Sequence, residues 1–327
     1  MQAATGNAPH RARPLGGAAR GSAPLELRLR CPRCSAEIAE LDCPRCWYRL
    51  RELNGIVHAL PSERTDHFAR FIQDYEQIRA EEGRGSVSDA FYLGLPYRDL
   101  SGRNGDQWRM RACTFDYLMT RILTPCVRRG ARILDLGAGN GWMSYRFALA
   151  GFRPVAVDLL TNDRDGLGAA KHYESYLSQL FPRFQAELAR LPFHDEQFDA
   201  VLFNASFHYA EDAEATLREA LRCVCRGGIV VISDTPWYSS EESGKEMVAE
   251  RHARFLKQYK TASASIESIE FLTDSRLENL EETLSIRWTI HAPGYGLRWA
   301  LRPVLAQMRN KREPARFRIY VTQRAAR

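Results

Sequence analysis

The stretch Ile133-Leu-Asp-Leu-Gly-Ala-Gly-Asn-Gly141 decides the fold. A short apolar run is followed by glycines at alternate positions, and apolar residues then recur at helical spacing over 141–150. Glycines let the backbone approach a ligand closely, and a helix N-terminus offers unpaired N–H groups to it. The stretch therefore predicts a strand, a ligand-binding turn and a helix.

Strands and helices continue to alternate after this stretch. Such alternation predicts an α/β fold with a seven-stranded, mostly parallel sheet and helices on both faces. The predicted strands are 132–136, 154–157, 184–188, 198–203, 228–233, 285–291 and 317–322. The predicted helices are 62–82, 108–123, 141–150, 167–180, 213–223, 242–259 and 274–284.

The spacing of the three glycines argues against a dinucleotide site. The dinucleotide fingerprint Gly-x-Gly-x-x-Gly needs a small third residue, so that the helix can pack closely on the strand. This chain has the bulky Trp142 at that position, and its third glycine comes one residue early. Asp135 directly precedes the loop, and a carboxylate there suits a positively charged ligand better than a pyrophosphate.

Leu134-Asp-Leu-Gly-Ala-Gly-Asn-Gly141 resembles motif I of the class I S-adenosylmethionine-dependent methyltransferases. Later segments resemble the same family in the expected order: Asp158 ends the second strand, and Glu187-Leu-Ala-Arg-Leu-Pro-Phe193 is similar to a segment of the type-11 methyltransferases. The resemblance covers residues 110–235 well. It implies a Rossmann-like methyltransferase sheet and an enzyme that takes its methyl group from S-adenosylmethionine (SAM), in class EC 2.1.1.-.

The resemblance also implies which residues bind the cofactor. Asp158 would accept hydrogen bonds from both ribose hydroxyls, since a carboxylate has two acceptor oxygens. Glu187 would accept from the adenine amino group, although the family has Asp there and Glu where this chain has Ala189. The implied cofactor-binding residues are Asp135, Gly137, Ala138, Gly139, Asn140, Gly141, Asp158, Leu159, Glu187, Leu188 and Asn204.

Methyl transfer requires a general base only when the acceptor must lose a proton. His208 is the first candidate, because it follows the fourth strand by a few residues and histidine titrates near neutrality. The alternative is that His208 packs beneath a helix and takes no part in the chemistry. Tyr209, Asn204 and Asp234 are weaker candidates on the same rim. A lid is expected ahead of the first strand, with Trp108, Arg109, Tyr92 and Tyr97 as candidates.

Cys31-Pro-Arg-Cys34 and Cys43-Pro-Arg-Cys46 form two close pairs near the start of the chain. Two such turns let four thiolates converge on a structural Zn²⁺, which we favour over a redox-active pair. The unit continues to Leu60 and resembles the zinc-ribbon proteins that act as methyltransferase activator subunits. More loosely, it resembles the zinc finger of some rRNA guanine methyltransferases.

Composition bounds the class of protein. The chain has 327 residues, 45% of them apolar, which is enough for one large domain with a small appendage. No apolar run approaches the roughly 20 residues of a membrane span, and the N-terminus has no apolar signal region. We therefore expect a cytoplasmic protein with reduced thiols and no membrane partner. The sequence does not indicate an oligomeric state.

These observations predict a division of the chain into four parts. We expect a disordered tail at 1–24, a zinc ribbon at 25–61, a helical lid or linker region at 62–125, and a SAM-binding methyltransferase domain at 126–327. The last of these would carry an insertion at about 236–284.

Three functions fit the pattern. The leading hypothesis is methyl transfer from SAM to a small molecule or biosynthetic intermediate, because Leu191-Pro-Phe193 is type-11-like and a long insertion follows the fifth strand. The alternative is an rRNA or tRNA methyltransferase that grips phosphates with the zinc ribbon and the C-terminus, where nine Lys and Arg residues from Gly296 onward face only Glu313. The third is a non-catalytic SAM-binding scaffold.

Overall fold

The computed structural model describes residues 26–38 and 41–326, so the predicted tail at 1–24 lies outside the described residues. The described strands are β1 Leu29–Arg30, β2 Glu37–Ile38, β3 Arg51–Leu53, β4 Ile56–His58, β5 Arg132–Leu136, β6 Arg153–Asp158, β7 Arg183–Gln185, β8 Phe198–Asn204, β9 Val224–Ser233, β10 Pro236–Trp237, β11 Thr289–His291, β12 Arg316–Phe317 and β13 Ile319–Gln323.

Helices precede, connect and follow these strands. The described α-helices are α1 Ser62–Glu81, α2 Asp89–Gly94, α3 Gly105–Tyr117, α4 Thr124–Cys126, α5 Trp142–Leu149, α6 Ala213–Cys223, α7 Glu241–Tyr259, α8 Asp274–Leu284, α9 Leu297–Ala300 and α10 Arg302–Met308. A π-helical turn at Leu118–Leu123 joins α3 to α4, and 3₁₀ segments lie at Leu167–Tyr176 and Phe207–Tyr209. None of the described helices is both long and apolar enough to cross a lipid bilayer.

Nine strands form one sheet in the order β11-β13-β9-β8-β5-β6-β7-β4-β3. All neighbours from β9 to β4 run parallel, whereas β13 is antiparallel to both of its neighbours and β3 is antiparallel to β4. The predicted α/β fold with a mostly parallel sheet is confirmed. The seven predicted strands are β5 to β9, β11 and β13, so the sheet contains two strands more than expected.

The two additional strands come from the N-terminal segment. β3 and β4 form a hairpin whose turn residues Asn54 and Gly55 have φ of 52° and 70°. An Asn-Gly pair suits this turn because both residues tolerate the left-handed conformation. β4 then pairs in parallel with β7, from Ile56 beside Arg183 to His58 beside Gln185. The hairpin therefore extends the main sheet at its β7 edge.

Side chains alternate along the central strands between two apolar layers. Ile133 of β5 and Leu202 of β8 belong to the layer that packs against α3 and α5. Leu134 and Phe203, their neighbours in sequence, belong to the opposite layer with α6 and α8. The cysteines Cys31 and Cys43 join this second layer. This alternation explains why the central strands are nearly continuous apolar runs in the sequence.

The prediction of an α-helix at 167–180 is wrong. Residues 167–176 form tight 3₁₀ turns, and the regular segment ends at Tyr176. This segment lies directly on the preceding loop: a Cβ on Gly166 would come within 2.7 Å of the Leu160 backbone, and one on Gly168 within 2.8 Å of the Thr161 carbonyl. The 3₁₀ turns therefore pack closely on the preceding loop.

The role of the hairpin in the sheet can be measured by chemical denaturation. Ile56→Ala is expected to lower the free energy of unfolding by about 2 to 5 kcal/mol, because Ile56 is 3% exposed and packs in the apolar layer of α3 and α5. The matched control is Leu53→Ala on the adjacent strand, where the side chain is 55% exposed and little change is expected. Equal stability of the two variants would contradict integration of the hairpin into the core.

Candidate active site

A cleft of about 880 Å³ lies at the carboxyl ends of β5, β6 and β8. The chain leaves β5 toward β6 on one side, whereas β8 lies on the other, so the strand order reverses at this point. Parallel α/β sheets bind ligands at such switch points. We call it the main cleft.

The glycine loop forms one wall of the main cleft. Gly137, Gly139 and Gly141 have φ of 74°, 56° and 76°, which side chains adopt only with strain. A Cβ on Gly137 would also lie 2.2 Å from the Cβ of Ser206. The Ser206 hydroxyl in turn donates to the Leu136 carbonyl at 2.5 Å. The loop after β8 is thus packed directly on the glycine turn.

Two carboxylates line the cleft beside this loop. Asp158 accepts from the Gly139 N–H at 2.7 Å and from the Leu160 N–H at 2.8 Å. Asp135 accepts from the Ser144 hydroxyl at 2.7 Å. Burial raises the pKa of Asp135 to about 7, with a contribution from the negative charge of Asp158, and burial raises the pKa of Asp158 to about 6. The site therefore favours a ligand that brings positive charge or hydrogen-bond donors to these oxygens.

The structure brings most of the predicted cofactor-binding residues together. Nine of them line the main cleft: Asp135, Gly137, Ala138, Gly139, Asn140, Asp158, Leu159, Leu188 and Asn204. Gly141 is not among the lining residues; it is the N-terminal cap of α5, where a Cβ would meet the Phe181 ring at 3.0 Å.

Glu187 is also absent from the lining. Its buried carboxylate accepts three hydrogen bonds of 2.7 to 3.0 Å from the guanidinium of Arg64 on α1. Its neighbours Ala186 and Leu188 line the cleft instead. In this placement the Glu187 side chain is directed to Arg64 rather than into the cleft, and its adenine contact stays a prediction.

His208 is not among the residues that line the main cleft. Its Nδ1 is buried without a hydrogen-bond partner in the described residues, and its ring packs 4.3 Å from that of Tyr209. Burial and the charges of Arg251 and Arg111 lower the pKa of His208 to about 3. The imidazole is therefore neutral near pH 7 and a weak proton acceptor, which does not favour the predicted general base.

Several residues of the cleft come from the helices before β5. Phe71, Tyr75 and Arg79 of α1 line it at successive helical turns, and Trp108 and Arg111 line it from α3. Of the predicted lid residues, Trp108 lies at the cleft, Tyr92 is fully buried, and Arg109 and Tyr97 are exposed. The regular spacing of 71, 75 and 79 was the available signal for the α1 contribution.

The four N-terminal cysteines converge outside the main cleft. The Sγ atoms of Cys31 and Cys46 lie 3.6 Å apart, those of Cys34 and Cys43 lie 3.4 Å apart, and all four lie within 4.8 Å of one another. Four thiolates at about 2.3 Å from a tetrahedral Zn²⁺ would lie about 3.8 Å apart. The cluster therefore fits zinc in donor type and in size.

The basic C-terminal segment is partly neutralised within the fold. Arg312 pairs with Glu250, Arg318 with Asp274 and Arg324 with Glu196. Arg324 also donates to three backbone carbonyls, including that of Val224 at 2.7 Å. These contacts hold the segment onto the domain and leave a smaller free positive charge than the sequence alone suggests.

Comparison with known proteins shows what the central part of the chain is similar to. Residues 134–232 match the family described as "Methyltransferase domain" (Methyltransf_11). The chain is 30% identical over 182 residues to demethylmenaquinone methyltransferase of Clavibacter sepedonicus, which covers 54% of this chain and 66% of that protein. It is 29% identical over 109 residues to malonyl-[acyl-carrier protein] O-methyltransferase of Erwinia billingiae, which covers 32% of this chain and 39% of that protein.

The chain thus spans between two fifths and just under two thirds of the length of these curated relatives. Among solved structures, phosphoethanolamine N-methyltransferase 2 of Haemonchus contortus in complex with S-adenosyl-L-methionine is similar at 15% identity and a TM-score of 0.46. That match covers 74% of this chain and 61% of that one. A chain of the Haloferax volcanii complex between the Trm112 activator and a methyltransferase matches 73% of this chain and 100% of its own, at 16% identity and a TM-score of 0.47.

Proposed function

We propose that this chain, whose residues 134–232 match a methyltransferase family, binds SAM in the main cleft and transfers its methyl group to a small-molecule acceptor. The observation that carries the proposal is the convergence of the glycine loop, Asp135 and Asp158, all within the matched residues, on one cleft. The named relatives act on small-molecule or carrier-bound acceptors, which supports the acceptor class.

The residues of the cleft suit the parts of the cofactor. Asp158 would accept from the ribose hydroxyls, since its oxygens line the cleft while two backbone N–H groups fix its orientation. Leu159, Leu188 and Ala186 offer an apolar slot for adenine. Asp135 would face the cationic part. When bound, the cofactor supplies an activated methyl group, so the protein's task is to align the acceptor and exclude water.

Two predicted residues, Glu187 and His208, are not placed to act directly in the main cleft. Glu187 would reach adenine only if Arg64 released its carboxylate. His208 would serve as a base only for an acceptor that approaches from its side of Tyr209. Tyr209 and Asn204 do line the cleft and are better placed for the acceptor.

We further propose that Cys31, Cys34, Cys43 and Cys46 bind a structural Zn²⁺. The two Cys-x-x-Cys turns are alike: the N–H of Ser35 donates to the Cys31 carbonyl at 2.9 Å, and that of Trp47 to the Cys43 carbonyl at 3.0 Å. Two matching turns that face one another support metal ligation in preference to a redox-active pair. We keep the four-part division of the chain given above as a prediction, with the β3–β4 hairpin counted in the zinc ribbon at 25–61.

Asp158→Ala is expected to weaken SAM binding at least tenfold, since it removes two charge-assisted hydrogen bonds to ribose. Calorimetry measures the change, and Asp66→Ala, an exposed acid on α1, is the control. Unchanged SAM affinity in Asp158→Ala would contradict the site.

A methyl-transfer assay on the same two proteins tests the acceptor class. With labelled SAM in cell extract, label is expected in the small-molecule fraction in the wild type and to be lost in Asp158→Ala. Label in RNA would favour the RNA methyltransferase instead, and tight SAM binding without any transfer would favour the scaffold.

SAM binding is expected to strengthen as the pH rises from 6 to 8. The pKa of Asp135 is raised to about 7, so the cation-binding carboxylate is mostly protonated at pH 6 and mostly ionised at pH 8. A ligand that binds only the ionised form gains about tenfold over this interval. Calorimetry at three pH values measures the trend, which Asp135→Asn should flatten. An equal pH dependence in that variant would assign it to another group.

The purified protein is expected to contain one zinc ion per chain, measured by elemental analysis. Removing a ligand with Cys43→Ser should release the metal and lower the melting temperature, because a unit of this size depends on its metal to fold. Cys126→Ser changes an exposed thiol away from the cluster and is the control. Protein that lacks zinc and melts at the same temperature in both variants would exclude the site.

A further inference from the structure

A second cleft of about 870 Å³ opens beside the main cleft. The two share a wall of five residues: Phe71, Tyr75, Arg79, Arg111 and Tyr209. The second cleft also reaches α7 and the chain that follows it. We call it the arginine cleft after its five arginines, Arg79, Arg84, Arg111, Arg251 and Arg254.

Positive charge in the arginine cleft exceeds negative charge. Only Glu82 and Glu270 oppose the five arginines on its lining. Arg84 pairs with Glu82 and Arg251 with Glu270, while Arg79 pairs with Asp165. Within residues 26–38 and 41–326, Arg111 and Arg254 have no ion-pair partner. The cleft therefore offers unsatisfied positive charge.

Arg111 is the more informative of these two residues, because its side chain is half-buried on the shared wall. Its guanidinium lies 4.9 Å from the centre of the Trp108 ring. Burial and the charges of Arg79 and Arg84 lower the pKa of Arg111 to about 10. Asp234 attracts this guanidinium, but no carboxylate of the described residues lies within ion-pair distance of it, so a bound anion would stabilise its charge.

Arg84, which also lines the arginine cleft, has a side-chain nitrogen without a hydrogen-bond partner among the described residues. Arg84 is 4% exposed, and its Nη1 is buried with no hydrogen-bond partner in the described part of the chain. Its other nitrogens bind Glu82 and Gln107. Arg84 therefore adds positive charge close to Arg111.

The rest of the shared wall is aromatic. Phe71 and Tyr75 each pack edge-on against Tyr209, with ring centres 6.1 and 5.5 Å apart. Phe255 of α7 lines the outer part. A ligand that places its charge at Arg111 would therefore place its remaining atoms against aromatic rings, which favours a planar or apolar body.

Arg111 lies where the two clefts meet, which favours a role toward the acceptor. Thr114, one turn further along α3, donates to Asp234 after β9 at 2.7 Å, so this face of α3 lies toward a strand end that the glycine loop and Asp158 do not use. The arginine cleft is also walled by α7, which belongs to the segment inserted after β9. An acceptor that enters there meets the main cleft at Tyr209.

We propose that the methyl acceptor is an anionic small molecule with an aromatic or apolar body, and that Arg111 binds its carboxylate or phosphate. This inference rests on the proposed function, since it takes the main cleft as the cofactor site.

The test uses phenyl phosphate and neutral benzyl alcohol as probes on protein loaded with S-adenosylhomocysteine. Calorimetry is expected to give phenyl phosphate at least a tenfold tighter dissociation constant, of the size that a charge-assisted contact provides. Arg111→Gln should bring the two probes within threefold of each other, and Arg111→Lys should keep part of the preference. Arg121→Gln, an exposed change on the π-helical turn after α3, should match the wild type.

Two results would overturn the inference. One is an unchanged preference for phenyl phosphate in Arg111→Gln. The other is a tenfold loss of S-adenosylhomocysteine affinity in that variant with phenyl phosphate binding retained, which would assign Arg111 to the carboxylate of the cofactor. If Arg111→Gln does not fold, the same comparison is made with Arg111→Met, which also removes the charge, and an unchanged preference for phenyl phosphate in that variant would overturn the inference in the same way.

Failure of the proposed function is visible separately. It appears as wild-type protein that binds no S-adenosylhomocysteine, before either probe is added. In that case phenyl phosphate is titrated into the free protein. A preference for phenyl phosphate that depends on Arg111 would support the anion site, and the absence of that preference would rule the site out.

Discussion

The close contact between the glycine turn and the loop after β8 constrains the whole site. A side chain on Gly137 would overlap Ser206, and the Ser206 hydroxyl holds the last carbonyl of β5. This contact fixes the carboxyl ends of β5 and β8 side by side. Asp135 lies on one strand and Asn204 on the other, so the same contact sets where a ligand can sit between them. The turn therefore builds the cleft as well as lining it.

Charge inside the cleft is arranged so that a ligand completes it. Asp135 is buried and Asp158 half-buried, and the charge of Asp158 raises the pKa of Asp135. Arg111 of α3 lines the same cleft and has no ion pair among the described residues. The two acids and this arginine are thus carried by different elements of one lining. A cation at the first group and an anion at the second would each relieve an existing electrostatic cost.

The central strands and the glycine loop could be predicted from the sequence because their signals are local. β5, for example, is an apolar run that ends in glycines, and α8 was predicted with the bounds it has. The β3–β4 hairpin was missed because it pairs with β7 about 127 residues later, as in the contact of His58 with Gln185. The ion pair of Glu187 with Arg64 could not be predicted for a similar reason: Arg64 lies 123 residues earlier, and nothing local indicates the pair.

The same long-range contacts connect the N-terminal unit to the site. β7 would be an edge strand of three residues without the hairpin, and exposed edges are a liability for a sheet. β4 covers that edge, and the chain then enters α1 within a few residues. α1 supplies Arg64 to Glu187 and, further along the same face, Phe71, Tyr75 and Arg79 to the cleft. The N-terminal unit and the wall shared by the two clefts are therefore joined through one continuous helix.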